Sequence, residues 1–147
     1  MTSYEDTRIN KLRLYLFNVI NELRTDSKYQ INADMLSNDI NNYSLDKLPT
    51  ASEVEKWING DEIHRDVFSF KSRLAYSQDV VNNLSNIGFF EDFEGLILKN
   101  NRLGILPDIE GIMYIECFSS ASMLDVETNK ATFEIQIEIT YKINIGG

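Results

Sequence analysis

The chain has 147 residues, 43% of them hydrophobic, and its 23 acidic and 14 basic side chains give a formal net charge of −9. This length and composition are typical of one folded domain around one hydrophobic core, here taken as residues 1–147. The acidic excess argues against a general affinity for the DNA backbone or for anionic membranes, since both attract basic proteins. We therefore expect proteins as partners.

The cysteine content and the first residues indicate where the protein is made. Cys117 is the single cysteine, and residues 1–6 lack the apolar core of a signal peptide. No apolar run approaches the roughly 20 residues that span a bilayer. These features predict synthesis in a reducing cytoplasm and no membrane segment.

The first predicted element is an amphipathic helix between Thr7 and Arg24. Its apolar residues recur at steps of three and four: Ile9, Leu12, Leu16, Val19, Ile20 and Leu23. Ser3 or Asp6 is the predicted N-cap, because its side-chain oxygen can accept a hydrogen bond from a free amide of the first turn. The asparagine-rich segment 28–51 is predicted to hold a short strand at 29–35 and then a loop.

A β-hairpin is predicted next, with strands at 53–59 and 63–74 around the turn residues Asn59-Gly60-Asp61. Side chains alternate between the two faces of a strand. One face of the second strand carries Asp66, Phe68, Phe70 and Ser72. The other face, which is rich in basic residues, carries Arg65, Val67, Ser69, Lys71 and Arg73.

Two short helices follow in the prediction. The first begins at an N-cap, Ser77, and ends at Gly88, where the apolar stripe stops. The second ends at Gly104, ahead of Pro107. Its apolar face consists of Phe93, Leu96 and Ile97.

The last third of the chain is predicted to be β structure, with strands at 112–118, 123–126 and 131–143. In the final strand every odd residue from Ala131 to Ile143 is apolar and every even residue is polar, which predicts one buried and one wet face. Strands usually have about 5–6 residues, so we expect this strand to project as a hairpin or to continue into an assembly. The predicted fold is α+β: a mixed, mainly antiparallel sheet with an N-terminal helix and two short central helices packed on one side.

His64 is the single histidine and the first candidate for chemistry. Carboxylates that could orient it as a general base are Asp61, Glu62 and Asp66. A solvated histidine after a hairpin turn is the preferred interpretation, because no nucleophile motif accompanies it. Cys117 is interpreted as a small apolar strand residue. With one histidine and no phosphate-binding glycine loop, the sequence predicts no metal site, no cofactor and no enzyme activity.

Four groups of side chains are candidates for other roles. Aromatic residues that could anchor an interface, although core packing is preferred, are Trp57, Tyr76, Phe89 and Phe90. Basic residues that face solvent or a partner are Arg65, Lys71 and Arg73. Carboxylates on the wet face of the final strand are Glu134 and Glu138. Carboxylates predicted at a helix start, where the helix dipole favours them, are Glu91, Asp92 and Glu94.

Four stretches cover most of the chain from about Tyr29 onward and occur in the order of a known family. They are Tyr43-Ser44-Leu45-Asp46, then Trp57-Ile58-Asn59-Gly60-Asp61 leading into Phe68-Ser69-Phe70-Lys71-Ser72-Arg73, then Ile87-Gly88-Phe89-Phe90-Glu91-Asp92-Phe93, and finally Thr132-Phe133-Glu134-Ile135-Gln136-Ile137-Glu138-Ile139-Thr140-Tyr141. Together they resemble the tail terminators of phages and prophages of Gram-positive bacteria. None of the four is a catalytic motif, so the resemblance is one of fold.

The resemblance implies a structural protein that forms a ring, typically hexameric, on the last ring of the tail tube. Such a ring ends tail growth and joins the tail to the neck or connector of the head, with the sheath protein as a further possible neighbour. It implies a place in the virion, with DNA passing through the ring unbound. Together with the alternation of the final strand and the acidity of the chain, it predicts that Glu134 and Glu138 face the channel. Two alternatives stay open: another head-to-tail component, such as a stopper or head-completion protein, and a small hydrolase that uses His64.

Overall fold

The computed structural model describes residues 3–23, 30–33, 42–49, 54–56, 60–75, 80–117, 122–127 and 130–144. Within them, seven strands form one sheet, and two helices share a hydrophobic core with one face of it, so the predicted α+β class is confirmed. The elements are α1 (Arg8–Leu23), β1 (Gln30–Ala33), β2 (Asn42–Lys47), β3 (Val54–Lys56), β4 (Asp61–Ala75), α2 (Val80–Leu103), β5 (Ile112–Cys117), β6 (Ser122–Glu127) and β7 (Lys130–Asn144).

Two long antiparallel strands, β4 and β7, form the centre of the sheet. They pair along their whole length, from Asp61 opposite Asn144 to Ala75 opposite Lys130. The outer side of β4 carries β2 and β3, the outer side of β7 carries β5 and β6, and β1 runs parallel to β2. The sheet is therefore mixed and mainly antiparallel, as predicted. The expectation that β7 projects as a hairpin is wrong, because strands cover β7 on both sides.

The alternation predicted for β7 is confirmed on its apolar side, whereas the predicted wet side is not exposed: Thr132 and Thr140 are buried, and Glu134, Gln136, Glu138 and Lys142 are partly buried. The odd positions Ile135, Ile137, Ile139 and Tyr141 are at most 3% exposed and belong to the same core as α1 and α2. Opposite them on β4, Phe68 pairs with Ile137 and Phe70 pairs with Ile135. The rings of Tyr43 and Phe93 stack on Phe70 at 5.5 and 5.3 Å between centroids, which joins β2 and α2 to the central strands.

Helix α1 begins where the sequence predicts, but its N-cap is a different residue. The Thr7 hydroxyl accepts a hydrogen bond from the Asn10 amide at 3.3 Å. Ser3 and Asp6 instead flank and end a single 3-10 turn, with the Ser3 hydroxyl donating to the Asp6 carboxylate at 3.0 Å. Because Thr7 directly precedes the first helical residue, its side chain is the one within reach of the third helical amide.

Helix α2 is one continuous helix, so the prediction of two short helices is wrong. Gly88 lies inside it, and the buried stripe continues across the expected break through Phe89, Phe90, Phe93 and Ile97. A glycine costs a helix only about 1 kcal/mol relative to alanine, and the burial of three phenylalanines outweighs that cost. The predicted end is confirmed, since α2 ends at Leu103 and Gly104 has φ 76°. The predicted cap Ser77 lies outside the described residues.

Strand β2 falls in the segment predicted as loop, which is a second correction. Its Tyr43 and Leu45 are fully buried and pair with Ser72 and Phe70 of β4. Asparagines around this segment favour turns, and the pairing with β4 outweighs that local preference. β1 lies within its predicted range, and the β3–β4 hairpin is confirmed, with Gly60 at φ 92° in its turn. Strands β5 and β6 also match the predicted segments.

We predict that Ile137→Ala lowers the free energy of unfolding by about 2–5 kcal/mol, because it removes buried methyl groups and leaves a cavity between the sheet and the helices. Ile137→Val is the matched control and should cost about 0.5–1.5 kcal/mol. Urea denaturation of the three proteins measures both values. An unchanged midpoint for Ile137→Ala would contradict the register of β7.

Candidate functional surfaces

The face of the sheet opposite the helices, the helix-free face, is formed by the odd residues of β4 and the even residues of β7. It brings together two groups that the sequence treated as separate surfaces. The predicted interface residues on this face are Arg65, Lys71 and Arg73, and the predicted channel residues are Glu134 and Glu138. Lys71 lies directly opposite Glu134 in the β4–β7 pairing. A molecule that binds this face therefore meets the basic residues of β4 and the carboxylates of β7 together.

The charges of the helix-free face are paired with one another. Arg65 Nε lies 4.0 Å from a Glu138 oxygen, and Lys71 Nζ lies 3.7 Å from an Asp46 oxygen. The Ser69 hydroxyl donates a hydrogen bond to Glu134. Asp46 belongs to β2, which the sequence did not reveal as a strand, so sequence reasoning missed this partner. Arg65, Lys71, Glu134 and Glu138 therefore all have partners within the sheet.

His64 contacts a carboxylate and an aromatic ring. Its Nε2 lies 2.9 Å from a Glu62 oxygen, and its ring stacks on Tyr141 at 5.6 Å. Asp61 lies on the opposite face of β4 and pairs with Lys142 at 3.0 Å. Only Glu62 of the three predicted carboxylates therefore contacts His64. His64 lies in the hairpin as predicted, but its side chain is only 19% exposed, so the prediction of a solvated histidine is wrong.

Cys117 occupies β5, as predicted. Burial, followed by the nearby carboxylates of Glu94 and Glu116, raises the pKa of the Cys117 thiol to about 12. The thiol therefore stays protonated at neutral pH, which suits an apolar strand residue better than a nucleophile.

Asp66, the most buried charged side chain of the described residues, is the centre of an ionic cluster. Its side chain is 3% exposed and accepts hydrogen bonds from Arg8 Nε at 3.2 Å and from the Tyr141 hydroxyl at 3.1 Å. Lys47 Nζ lies 3.9 Å from its other oxygen. The Arg8 guanidinium also lies over the Tyr141 ring, 4.7 Å from the centroid, in cation–π geometry. The sequence missed this cluster because Arg8 and Asp66 are 58 positions apart.

The cluster lies on the floor of an open cleft of about 1140 Å³ between the start of α1, the 105–111 loop and the ends of β4 and β7. We call it the Arg8–Lys47 cleft. The loop wall is fixed by Gly111, whose φ is 78° and whose carbonyl accepts a hydrogen bond from the Lys142 amide at 2.8 Å. A Cβ at Gly111 would collide with the Lys142 carbonyl oxygen, so a glycine is required there.

The carboxylates Glu91 and Asp92 are exposed, but not at a helix start as predicted. They lie in the middle of α2, which begins at Val80. The helix dipole acts within the first and last turns only, so it does not account for them. The sequence predicts a new helix start after Gly88, whereas α2 continues through this position, so the two predictions fail together. We call these two side chains the Glu91–Asp92 patch.

Burial decides between core and interface for two of the four predicted aromatic anchors. Phe89 and Phe90 are buried in the core, as preferred. Trp57 and Tyr76 lie outside the described residues.

The outer edge of β5 is occupied by a side chain. The Asn101 amide of α2 accepts a hydrogen bond from the Ile115 N–H at 3.0 Å and donates one to the Ile115 carbonyl. Both backbone groups of Ile115 point away from β7, and Asn101 satisfies them as a neighbouring strand would. The middle of this edge is therefore closed to a further strand.

Comparison of the chain with protein-family models and with curated proteins finds no match. In the described parts of the chain, no three His, Cys, Asp or Glu side chains come together in a metal-binding group. Neither described helix has the length and apolar character needed to cross a membrane.

We predict that Tyr141 makes stability fall at high pH. Burial, with the charge of Asp66 next, raises the pKa of Tyr141 to about 12 from its usual 10. The folded state therefore holds this proton more tightly than the unfolded state, so the stabilisation is complete below pH 10 and is lost as the pH rises from 10 to 12.

Tyr141→Phe cannot ionise and should show a shallower decline of unfolding free energy over that interval. At pH 7 it should cost about 1.5–3 kcal/mol, because a hydrogen bond to a buried carboxylate is lost. Urea denaturation from pH 7 to 12 measures both effects. Parallel pH profiles of the two proteins would contradict the assignment.

Proposed function

We propose that this chain is a tail-terminator protein of a phage or prophage, which forms a ring on the end of the tail tube. The proposal rests on the positions, in the fold, of the stretches that resemble tail terminators. Three of the resembling stretches, which begin at Tyr43, Phe68 and Thr132, fall in β2, β4 and β7, and these strands are neighbours in the sheet. The remaining stretch lies in α2, whose Phe93 packs on Phe70. The resemblance therefore covers one contiguous structural core, as expected of a shared fold.

The proposed ring places the helix-free face toward the DNA passage. DNA is held by an excess of basic side chains, and on this face Arg65 and Lys71 are already paired with Glu138 and Asp46. The overall charge of −9 adds a weak repulsion. Such a lining lets DNA slide past without binding.

The ring would end the growth of the tail tube because its two end surfaces differ. Head-to-tail contacts around a closed ring leave two unlike end surfaces, one for the last ring of the tail tube and one for the neck or connector of the head. In a contractile tail the sheath protein would be a further neighbour. A hexamer matches the ring typical of the family that the chain resembles.

The first test of this proposal is assembly. We predict that the purified protein forms closed rings, alone or on the ends of isolated tail tubes, which electron microscopy and light scattering over a concentration series can detect. Some ring proteins assemble only on their template, so the experiment includes both conditions. A chain that stays monomeric and leaves tube ends uncapped would contradict terminator function.

The second test concerns the channel. We predict that replacing Glu134 and Glu138 with lysine leaves rings able to form but makes them retain DNA in a salt-sensitive manner, because two added bases then join Arg65, Lys71 and Arg73 on the helix-free face. Each replacement should cost about 1 kcal/mol or less in folding stability, since like charges then face one another across the strands.

The matched control is Glu134→Gln with Glu138→Gln, which removes the carboxylates without adding bases and should retain less DNA than the lysine variant. DNA retention is measured by co-sedimentation at two salt concentrations. Rings of the lysine variant that release DNA as the wild type does would contradict the channel assignment, and loss of the ring itself would place this face against a neighbouring subunit.

A further inference from the structure

We propose that neighbouring subunits bind one another by inserting the Glu91–Asp92 patch of one copy into the Arg8–Lys47 cleft of the next. The inference rests on the proposed ring and names the charged contact that would close it. Both partners are surfaces of this chain: among the described residues, two cations of the cleft share one carboxylate, and neither carboxylate of the patch has a basic neighbour on its helix.

The cleft has one buried carboxylate for two cations. Asp66 is shared by Arg8 and Lys47, whose side chains are 48% and 54% exposed. Arg8 uses Nε for Asp66, and none of the described residues accepts a hydrogen bond from its two terminal nitrogens. These nitrogens form a planar fork that suits a second carboxylate.

The other charged groups of the cleft do not supply that second carboxylate. Lys11 pairs with Asp108 at 3.3 Å, and Lys142 pairs with Asp61 at 3.0 Å. The remaining acids that line the cleft are Asp6 and Glu110. Neither lies within 4.0 Å of the Arg8 or Lys47 nitrogens, and Asp6 is already hydrogen-bonded to the Ser3 hydroxyl. The described part of the chain thus leaves one positive charge over Asp66 without a direct partner.

The Glu91–Asp92 patch has two negative charges and no basic neighbour on its helix. Residues three and four positions apart are neighbours on a helix surface, and no such position around Glu91 or Asp92 holds a basic residue. Those positions include Gly88 and Gly95, and a Cβ at either glycine would meet no atom within 4 Å. The helix backbone beside the patch is therefore open to close approach by another molecule.

The two surfaces do not pair within one subunit, since none of the described ion pairs joins Glu91 or Asp92 to Arg8 or Lys47. Between two copies the contact is head-to-tail, because different patches meet, and a head-to-tail contact repeated by rotation generates a ring.

A double-mutant cycle on self-association tests the contact. Lys47→Gln removes one cation and leaves the Arg8–Asp66 hydrogen bond, while Glu91→Gln with Asp92→Asn removes the patch without changing side-chain size. Each should weaken assembly about fivefold or more, and the weakening should shrink at high salt. Combined, they should weaken it no more than the stronger of the two alone, since they remove the same contact. Sedimentation of the isolated chain, or the fraction of capped tubes where assembly needs a template, gives these values.

The matched control is Glu22→Gln with Glu116→Gln, which removes two other exposed carboxylates and should change assembly less than twofold. Unfolding midpoints identify any variant that weakens assembly by unfolding, and for Lys47 the variant Lys47→Met then replaces Lys47→Gln. Rings of normal stability in the patch variant, or fully additive effects in the cycle, overturn the contact but leave the ring proposal intact. A wild-type chain that neither associates nor caps tubes overturns both.

Discussion

The structure depends on the full-length pairing of β4 with β7. Fifteen residues of each strand lie in register, so every side chain of one strand has a fixed neighbour on the other. Phe68 and Phe70 face Ile137 and Ile135 toward the helices, and the residues between them face away. A slip by one residue would exchange the two faces and expose the core. The apolar alternation of β7 makes that slip too costly to occur.

The same register determines where charge can lie. Asp66 is on the core-facing side of β4, and it is tolerated there because the Tyr141 hydroxyl and Arg8 Nε satisfy it. Removing one partner of such a cluster leaves a buried charge without compensation. Arg8 is the first residue of α1, so Asp66 also fixes the point at which the helix meets the sheet. On the opposite face, Arg65 and Lys71 meet the acidic side chains of Glu138 and Asp46 across strands.

Local periodicity could be read from the sequence, whereas features that depend on distant partners could not. The helix α1 and the buried face of β7 follow from their own spacing of apolar residues. Strand β2 exists because β4 supplies its hydrogen bonds, and its two buried apolar residues are too few to reveal a period. Gly88 was interpreted as a helix end because its cost is local, while the packing of Phe89, Phe90 and Phe93 that outweighs it is not. Asp66 was visible as an acid on an apolar face, but its partners were not.

The edges of the sheet constrain how copies of the chain can meet. Ring subunits often associate by continuing a sheet from one copy to the next, which requires an open strand edge. Asn101 occupies both backbone groups of Ile115 on the outer edge of β5, so that edge cannot accept a strand without losing these hydrogen bonds. Contacts between side chains of the helix layer avoid this cost. In the proposed ring, α2 of one copy meeting the Arg8–Lys47 cleft of the next would join the subunits through that layer and leave the helix-free face clear for the DNA passage.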